Sequence, residues 1–287
     1  MKRVDAILIA DVHLRLSPPL SRTDDFEAAQ WKKLEEIKVL QEKYDCDVIH
    51  SGDLFEHWKP SPELLAKTIQ HLPDNFNTVY GNHDLPQHNL GLKHKSGIYA
   101  LEKAGKLTVL QGTHWEEEDP LILDWKFPDD ISRSIVVWHI GTYRVREPYP
   151  GCPDKPGRTL LRKINADLII TGHNHQPFTE KIGSKLLVNP GCMTRQEANQ
   201  KEYKPAVWLY DAKLNEVTPH YLTIDEGVIS SEHIEITKER DERIEAFISK
   251  LDSDFIGGLD FLSNLEQFMS ENKTSRKVKQ IINEIID

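Results

Sequence analysis

The sequence predicts an α/β fold in which helices pack on β-sheet layers. Short apolar runs, of the kind that form buried strands, alternate with segments of helical periodicity along most of the chain. Hydrophobic residues make up 38% of the 287 residues, which is enough to build a core in one domain with an appendage or in two small domains.

Seven apolar runs are the predicted strands. They cover residues 6–10, 47–53, 77–82, 134–140, 167–173, 185–191 and 206–211. Two helices are predicted between the first three strands. Residues 24–45 place apolar side chains at helical spacing. Ser61 and Pro62 begin the second helix, because Ser caps the first N–H groups and Pro fits the first helical position.

The composition changes after residue 224. Residues 225–287 hold 8 Lys and Arg against 15 Asp and Glu, a net of −7 within the chain's total of −10. Three amphipathic patterns follow, around residues 244–251, 261–269 and 278–285. We therefore predict two domains, residues 1–224 and an acidic helical region at 225–287. The second is either a cap with its own core or a module that docks a partner.

Bulk properties exclude some classes of protein. No stretch approaches about 20 apolar residues, so no membrane span is expected. The three cysteines have no paired spacing, which indicates neither a disulfide framework nor a zinc ribbon and favours a cytoplasmic location. The acidic balance argues mildly against a large DNA-coating surface.

Side chains that bind metals follow five of the predicted strands. They are Asp11 with His13, Asp53, Asn82 with His83 and Asp84, His139, and His173 with His175. Ligands bind at the carboxyl ends of strands in α/β sheets, so we expect these side chains to converge. Nitrogen and oxygen ligands without cysteine suit manganese, iron or zinc. The set is too large for one structural zinc, which is closed at four ligands, and therefore predicts two divalent metals.

One motif also predicts a side-chain orientation. In Gly-His-Asn-His, residues 172–175, alternation along an extended segment would send both imidazoles to the same side.

The order of the motifs resembles the calcineurin-like metallophosphoesterase superfamily: Asp-x-His, Gly-Asp, Gly-Asn-His-Asp, a lone His and Gly-His-x-His, across roughly residues 5–195. The resemblance implies a four-layer α-β-β-α metallophosphoesterase sandwich, followed here by a short helical C-terminal appendage. Residues 1–224 would be the catalytic domain.

The same resemblance implies roles for the motif residues. One metal would be held by Asp11, His13 and His175, and the other by Asn82, His139 and His173. Asp53 would bridge both metals. His83 would face the substrate and stabilise or protonate the leaving oxygen, and Asp84 would orient His83 by accepting its other ring N–H.

The residues around the second motif, Gly-Asp, indicate which branch of the superfamily the chain resembles. Gly-Asp is followed by LFEHWKPSPELL, residues 54–65, without the Asp-Arg-Gly element of the serine/threonine protein phosphatases. This run, Gly-Asn-His-Asp and the GTYR element at 141–144 are similar to SbcD-type nucleases, whereas the last third fits that branch poorly. The resemblance implies a DNA exonuclease or endonuclease of repair and recombination. Mn²⁺ is the expected metal, with Fe²⁺, Zn²⁺ and Mg²⁺ as alternatives. An SbcC-type coiled-coil ATPase docked on the C-terminal helices and a homodimer are the expected partners.

A basic segment follows His139. Residues 142–163 carry six Lys and Arg with tyrosines between them, and such groups can hold a phosphate backbone and stack bases. Its substrate-contact candidates are Tyr143, Arg144 and Arg146, although an ordinary Pro-rich surface loop explains the composition equally well. Arg195, after another strand, is a further phosphate-contact candidate.

Besides a DNA nuclease, a second and a third function remain open. The same metals would serve a phosphodiesterase or phosphatase acting on a small nucleotide or another phosphoester, because the surroundings of a site select its substrate. The third is a non-catalytic scaffold that keeps the fold, although no motif residue is missing here.

Overall fold

The computed structural model describes residues 3–111, 119–147, 150–253 and 261–286. The chain divides into two compact units, Met1–Ser230 and Ser231–Asp287. Within the described part of the chain, every helix is too short or too polar to cross a membrane.

The first unit contains the strands. Their bounds are β1 Ala6–Ile9, β2 Asp47–His50, β3 Phe76–Thr78, β4 Thr108–Val109, β5 Leu123–Phe127, β6 Ile131–Trp138, β7 Thr142–Tyr143, β8 Lys155–Pro156, β9 Leu168–Thr171, β10 Phe178–Ile182, β11 Lys185–Asn189, β12 Ala206–Asp211 and β13 Glu216–Tyr221. Its helices are α1 Phe26–Tyr44, α2 Pro62–His71, α3 Gly97–Lys103 and α4 Gly157–Lys163, with 3₁₀ turns at Pro86–His88, Leu90–Lys95 and Ala198–Gln200.

Two sheets form the centre of this unit. The first has the order β13-β12-β1-β2-β3-β4, in which β1 to β4 are parallel and β12 is antiparallel to β1. The second has the order β10-β11-β9-β6-β5, in which β11, β9 and β6 are parallel. The short strands β7 and β8 pair with each other.

Three buried clusters show that the sheets and helices form four layers. Alternate residues of β1 point to opposite faces: Ile7 and Ile9 join a cluster with the helix α1 residues Leu34 and Ile37. Ala6 and Leu8 join a second cluster that contains residues of β6 and β9 and therefore lies between the sheets. The far face of the second sheet packs on α4 in a third cluster. The predicted α-β-β-α sandwich is thus confirmed.

The predicted helices form where the sequence indicated. The Asp25 side chain accepts the Ala28 N–H at the start of α1. Ser61 accepts the Leu64 N–H at the start of α2, and Pro62 occupies the first position of that helix. Strands β5, β10 and β13 and helices α3 and α4 were not predicted. Helix α4 lies inside the basic segment, for which a surface loop was one of two open interpretations, so this part of the segment is a helix packed on the sheet.

The second unit is helical. It contains α5 Glu232–Ser253, α6 Phe261–Glu271 and α7 Arg276–Ile286, so the three amphipathic patterns are confirmed as helices. The rings of Phe247 and Phe268 lie 5.3 Å apart and join α5 to α6. The division between the units follows Ser230 and not residue 224. The intervening residues pair with the first unit, where Ser230 N–H donates to Ser21 O at 2.8 Å.

Candidate metal centre

The motif residues lie just beyond the carboxyl ends of five strands. Strands β1, β2 and β3 of the first sheet precede Asp11 with His13, Asp53 and Asn82, respectively. Strands β6 and β9 of the second sheet precede His139 and His173 with His175. The two sheets meet here, since the His173 N–H donates to Asp11 Oδ1 at 3.0 Å. All seven candidate ligands are therefore brought to one place.

Four of these residues have left-handed backbone angles. The φ angles are 47° at Asp11, 51° at His13, 58° at Asp53 and 70° at His173. Such angles cost residues other than glycine about 1–3 kcal/mol each and cluster at functional sites. They end the strands before the motif residues and turn the side chains toward a common centre. The predicted strands at 47–53 and 167–173 are therefore shorter, ending at His50 and Thr171.

Two motif glycines permit the close packing of this centre. A Cβ on Gly52, whose φ is 99°, would lie 2.6 Å from His139 Nδ1. A Cβ on Gly81 would lie 2.1 Å from Asp53 Oδ1. Both distances are shorter than any normal contact, so the glycines of Gly-Asp and Gly-Asn-His are required by the neighbouring candidate ligands.

The first group of donors consists of Asp11, His13 and His175. His13 Nε2 and His175 Nε2 are 3.1 Å apart. The Asp11 Oδ2 atom is buried and accepts no hydrogen bond from any residue that the structure describes. A buried carboxylate oxygen without a donor is costly, and a cation beside it would remove that cost.

The second group consists of Asp53, His139 and His173, with Asn82 between them. Asn82 Oδ1 lies 3.1 Å from both His139 Nε2 and His173 Nδ1. Asp53 Oδ2 is 3.2 Å from His139 Nε2 and 3.7 Å from His13 Nε2, so it lies between the two groups.

The two imidazoles of Gly-His-Asn-His are not equivalent. His173 belongs to the second group and His175 to the first. Both rings reach the centre, as expected, but the segment between them is not regularly extended, because His173 has a left-handed φ of 70°.

The electrostatics of the centre call for positive charge. Burial alone would raise the pKa of Asp53, but the charge and hydrogen bond of His139 hold that pKa far below its usual range. Burial likewise opposes protonation of His139, yet Asp53 raises the pKa of His139 to about 9. A proton on His139 thus neutralises part of the carboxylate charge, and a metal ion would replace it with release of that proton.

Acceptor atoms beside the outer ring nitrogens of His139 and His13 leave the other nitrogen of each ring to face the centre. His139 Nδ1 donates its proton to Ser51 O at 2.8 Å, so in the neutral ring the Nε2 lone pair faces Asp53 and Asn82. His13 Nδ1 lies 3.2 Å from Glu56 Oε2 and presents Nε2 to the centre. Imidazoles, an amide oxygen and carboxylates, arranged in two groups with Asp53 between them, fit a pair of divalent cations.

His83 lies at the margin of the centre and is half-buried. Its ring makes an edge-on contact with His13, with the centroids 4.9 Å apart. Its donor atom also falls within reach of His13 and Asp53 as a third group. His83 is therefore close enough either to act on a substrate or to bind a metal.

The expected role of Asp84 is wrong. His83 Nδ1 donates to Glu56 O at 2.8 Å, so the Asp84 carboxylate does not orient this ring. Asp84 instead accepts backbone N–H groups of Asp53, Leu54, Phe55 and Gly81 at 2.8–3.3 Å. Burial and the charge of Asp53 raise the pKa of Asp84 to about 7, whereas these donors favour its ionised form. Asp84 therefore holds the turn that carries Asp53.

The candidate substrate contacts of the basic segment lie on or just after β7. Tyr143 ends β7 and Arg144 follows it; the Arg144 side chain is 61% exposed, with Nε 3.2 Å from Glu180 Oε1. Arg146 is also exposed. Tyr149, which contributed to the basic segment, lies outside the described residues.

Arg195 does not fit the predicted phosphate contact. Its side chain is buried, Nη1 donates to Lys201 O at 3.0 Å and Nη2 donates to Asp225 O. The guanidinium joins segments of the chain that lie far apart in sequence and is not directed at a substrate.

Sequence reasoning missed two features of the site. Glu56 contacts both His13 and His83, but one glutamate in GDLFE has no spacing that marks it. A polar cavity of about 690 Å³ beside His173 and His175 has Asp154 and Glu197 among its lining residues. These two carboxylates come from separate loops, so only the fold brings them together.

Comparisons with known proteins identify the family. Residues 5–212 match the family described as the calcineurin-like phosphoesterase superfamily domain. A probable metallophosphoesterase of Methanothermobacter thermautotrophicus is 40% identical over 48 residues, which cover 17% of this chain and 28% of that relative.

Solved structures with 14–16% identity also match. One described as a novel archaeal phosphodiesterase has a TM-score of 0.44, with 76% of this chain and 99% of the other covered. A single mutant of Vps29 from Entamoeba histolytica has a TM-score of 0.41, with 78% and 95% covered. A metallophosphoesterase from Sphaerobacter thermophilus has a TM-score of 0.39, with 78% and 90% covered. The family match spans well over half of the sequence, and this chain therefore belongs to the calcineurin-like phosphoesterase superfamily.

Proposed function

We propose that this chain is a metal-dependent phosphodiesterase that cleaves DNA. The observation that carries the proposal is the convergence of two donor groups with Asp53 between them and half-buried His83 beside them. The superfamily performs phosphoester hydrolysis, and a DNA substrate is the narrower part of the proposal.

Each side chain of the centre has a proposed task. Asp11, His13 and His175 would hold one ion, Asn82, His139 and His173 the other, and Asp53 would bind both. When bound, such ions lower the pKa of a water nucleophile and stabilise the charge that develops on the phosphate. Mn²⁺ is the proposed ion, since the mixed nitrogen and oxygen donors accept it.

His83 is the proposed acid. Because its Nδ1–H donates to the Glu56 carbonyl, its Nε2 faces the centre. Protonated Nε2 would donate its proton to the leaving alkoxide oxygen, and the ring would regain a proton from solvent. Its partial exposure would let it reach a substrate, whereas His13 and His139 are buried.

Two observations favour a polynucleotide. The run after Gly-Asp resembles that of SbcD-type nucleases and lacks the protein phosphatase element. Exposed Arg144 and Arg146 follow β7. This strand lies beside the centre, because the side-chain amide of Asn174, between His173 and His175, donates to Thr142 O in β7 at 2.6 Å. These cations could contact the phosphate backbone on either side of the cleaved bond.

The test is cleavage of end-labelled single- and double-stranded DNA with added Mn²⁺, beside hydrolysis of a small chromogenic diester. We expect DNA products that disappear in His83→Ala, and the product ladder distinguishes exonuclease from endonuclease action. Hydrolysis of the diester without DNA cleavage would contradict DNA as the substrate but would still support phosphodiesterase activity.

The cavity beside the centre favours a second candidate, a small phosphodiester. The residues that line it, within the described part of the chain, include Asp154 and Glu197 and neither Lys nor Arg. Such a cavity repels a second phosphate and suits a neutral or cationic group attached to the scissile phosphate. Glycerophosphodiesters with a cationic head group would test this candidate against DNA.

A partner is also proposed for the second unit. Its helices expose several large apolar side chains, which suit a groove or coiled coil on another protein. They are Ile234, Ile236, Ile244, Ile248, Leu262, Val278 and Ile281. The proposed partner is an SbcC-type coiled-coil ATPase, and a second copy of this chain is the alternative. Co-purification with and without residues 231–287 tests the first, and sedimentation of the chain alone tests the second.

A further inference from the structure

Glu56 contacts the centre on two sides through different atoms. Its carboxylate Oε2 lies 3.2 Å from His13 Nδ1, and its main-chain oxygen lies 2.8 Å from His83 Nδ1. His13 is a candidate ligand and His83 the candidate acid. One residue therefore faces the outer nitrogen of both rings.

The main chain of Glu56 is fixed independently of its side chain. Its N–H donates to Leu14 O at 3.2 Å, and Phe55 pairs with Leu14 in a parallel bridge. The Asp84 carboxylate holds the N–H groups from Asp53 to Phe55. The carbonyl that accepts the His83 proton is thus set by the turn, whatever side chain occupies position 56.

The carboxylate of Glu56 is fixed by a separate contact. Arg15 Nη1 lies 3.1 Å from Oε1, while Oε2 faces His13. Arg15 is itself anchored, since its Nε donates to Ser17 O at 2.7 Å. With Arg15 on one oxygen, the other oxygen is directed at the His13 ring.

We propose that Glu56 is a positioning residue for both histidines. Its carboxylate Oε2 lies 3.2 Å from Nδ1 of His13 but outside hydrogen-bond geometry. With a metal bound, this carboxylate would accept the Nδ1–H and direct Nε2 of the ring at that metal, and the main-chain carbonyl sets the tautomer of His83. The inference rests on the proposed metal centre. A carboxylate behind a metal-binding imidazole fixes the ring orientation and raises its basicity.

The two tasks can be separated by mutation. Glu56→Ala removes the acceptor for His13 and leaves the carbonyl for His83. Glu56→Gln keeps an acceptor oxygen at the same length without the charge. Glu56→Asp keeps the charge and withdraws it by one methylene group.

The experiment is calorimetric titration of the full-length, metal-free protein with Mn²⁺. Outer-sphere partners of metal-binding histidines are worth about 10- to 100-fold in affinity, so Glu56→Ala and Glu56→Asp should lose about that factor at one of two sites. Glu56→Gln should recover most of it, because a neutral acceptor retains the hydrogen bond. Glu27→Ala is the matched control, because the Glu27 side chain is 32% exposed and paired with a cation, Lys67. The Glu56 side chain is 33% exposed and is likewise paired with a cation, Arg15.

The results separate the inference from the proposed function. Parental Mn²⁺ affinity in Glu56→Ala and Glu56→Asp overturns the inference, as does a loss in Glu56→Gln as large as in Glu56→Ala. Diester hydrolysis by the parent, assayed on the same preparation, reports on the proposed function alone. If Glu56→Ala does not fold, as judged by circular dichroism, the contrast between Glu56→Asp and Glu56→Gln decides the matter.

Discussion

His13 Nε2 and His175 Nε2 lie 3.1 Å apart although 162 residues separate them in the chain. The other ring nitrogen of His13, Nδ1, lies 3.2 Å from Glu56 Oε2. Two imidazole nitrogens at this distance must share either a proton or a cation. The Asp11 carboxylate completes this group, with Oδ1 4.0 Å from His13 Nε2.

Removal of Asp53 tests whether the two donor groups form one centre. Asp53 lies between them, so Asp53→Ala should lower Mn²⁺ binding at both sites and reduce phosphodiester hydrolysis to background. Metal content after dialysis against Mn²⁺, measured by mass spectrometry, gives the stoichiometry. Asp47→Asn is the control, because Asp47 begins β2, the strand that precedes Asp53. Loss of only one ion would show that Asp53 does not bridge.

His83→Ala separates an acid from a ligand. As an acid, His83 contributes about 10²- to 10⁴-fold to the rate, and its loss should lower kcat by that factor with both metals retained. Rates with the chromogenic diester and metal content are measured on one preparation. His88→Ala, at an exposed histidine on the following turn, should match the parent. A lost ion in His83→Ala would make His83 a ligand, as its closeness to Asp53 also allows.

Asp84→Asn tests the corrected role of Asp84. An asparagine amide group would face backbone N–H donors that the carboxylate now satisfies. Buried donors left without an acceptor cost about 1–3 kcal/mol, so the free energy of unfolding should fall by about that amount. Urea denaturation of metal-free protein measures it. A variant as stable as the parent would contradict the proposed support of the Asp53 turn.

The basic segment is tested by the double variant Arg144→Ala, Arg146→Ala. If both contact phosphates, the slope of log affinity for DNA against log salt should fall by about 2 in magnitude. Hydrolysis of the small diester should not change, because neither arginine belongs to the donor groups. Lys126→Ala, at a 73% exposed side chain on β5, is the control. An unchanged salt slope would remove both arginines from the DNA contact.

Lys33 should make the free energy of unfolding depend on pH, independently of any bound metal. Its side chain is buried and donates to Thr223 O, and burial lowers the pKa of Lys33 to about 8. Between this value and about 10.4, the ordinary pKa of lysine, the unfolded chain binds more protons, so the stability contribution of Lys33 rises with pH. The free energy of unfolding of the parent relative to Lys33→Met should therefore rise by about 2 kcal/mol from about pH 7.5 to about pH 9.5.

The measurement is urea denaturation at both pH values. Lys32→Met provides the control, because the neighbouring Lys32 is exposed and should give no such change. A difference between parent and Lys33→Met that is independent of pH would show that Lys33 keeps an ordinary pKa in the folded state.

The α/β class and the strand-end donor residues could be predicted from the sequence, and the resemblance to a known family implied the four layers and the role of each donor. Periodicity indicated α1, α2 and the central strands, because buried strands and amphipathic helices require apolar residues at fixed spacing. The donors Asp11, Asp53 and His139 could be named because metal binding requires particular side chains at strand ends. Gly52 and Gly81 belong to the same motifs for a steric reason that only the coordinates reveal.

The contacts that support the donor residues became visible in the folded structure alone. Asp84 holds main-chain N–H groups, Glu56 reaches His13 and His83, and Arg195 donates to Lys201 O and Asp225 O. Each of these roles depends on where main-chain groups and distant side chains meet in space. Residue identity and local spacing determine which chemistry a chain can perform, whereas hydrogen bonds between segments far apart in sequence determine how that chemistry is oriented.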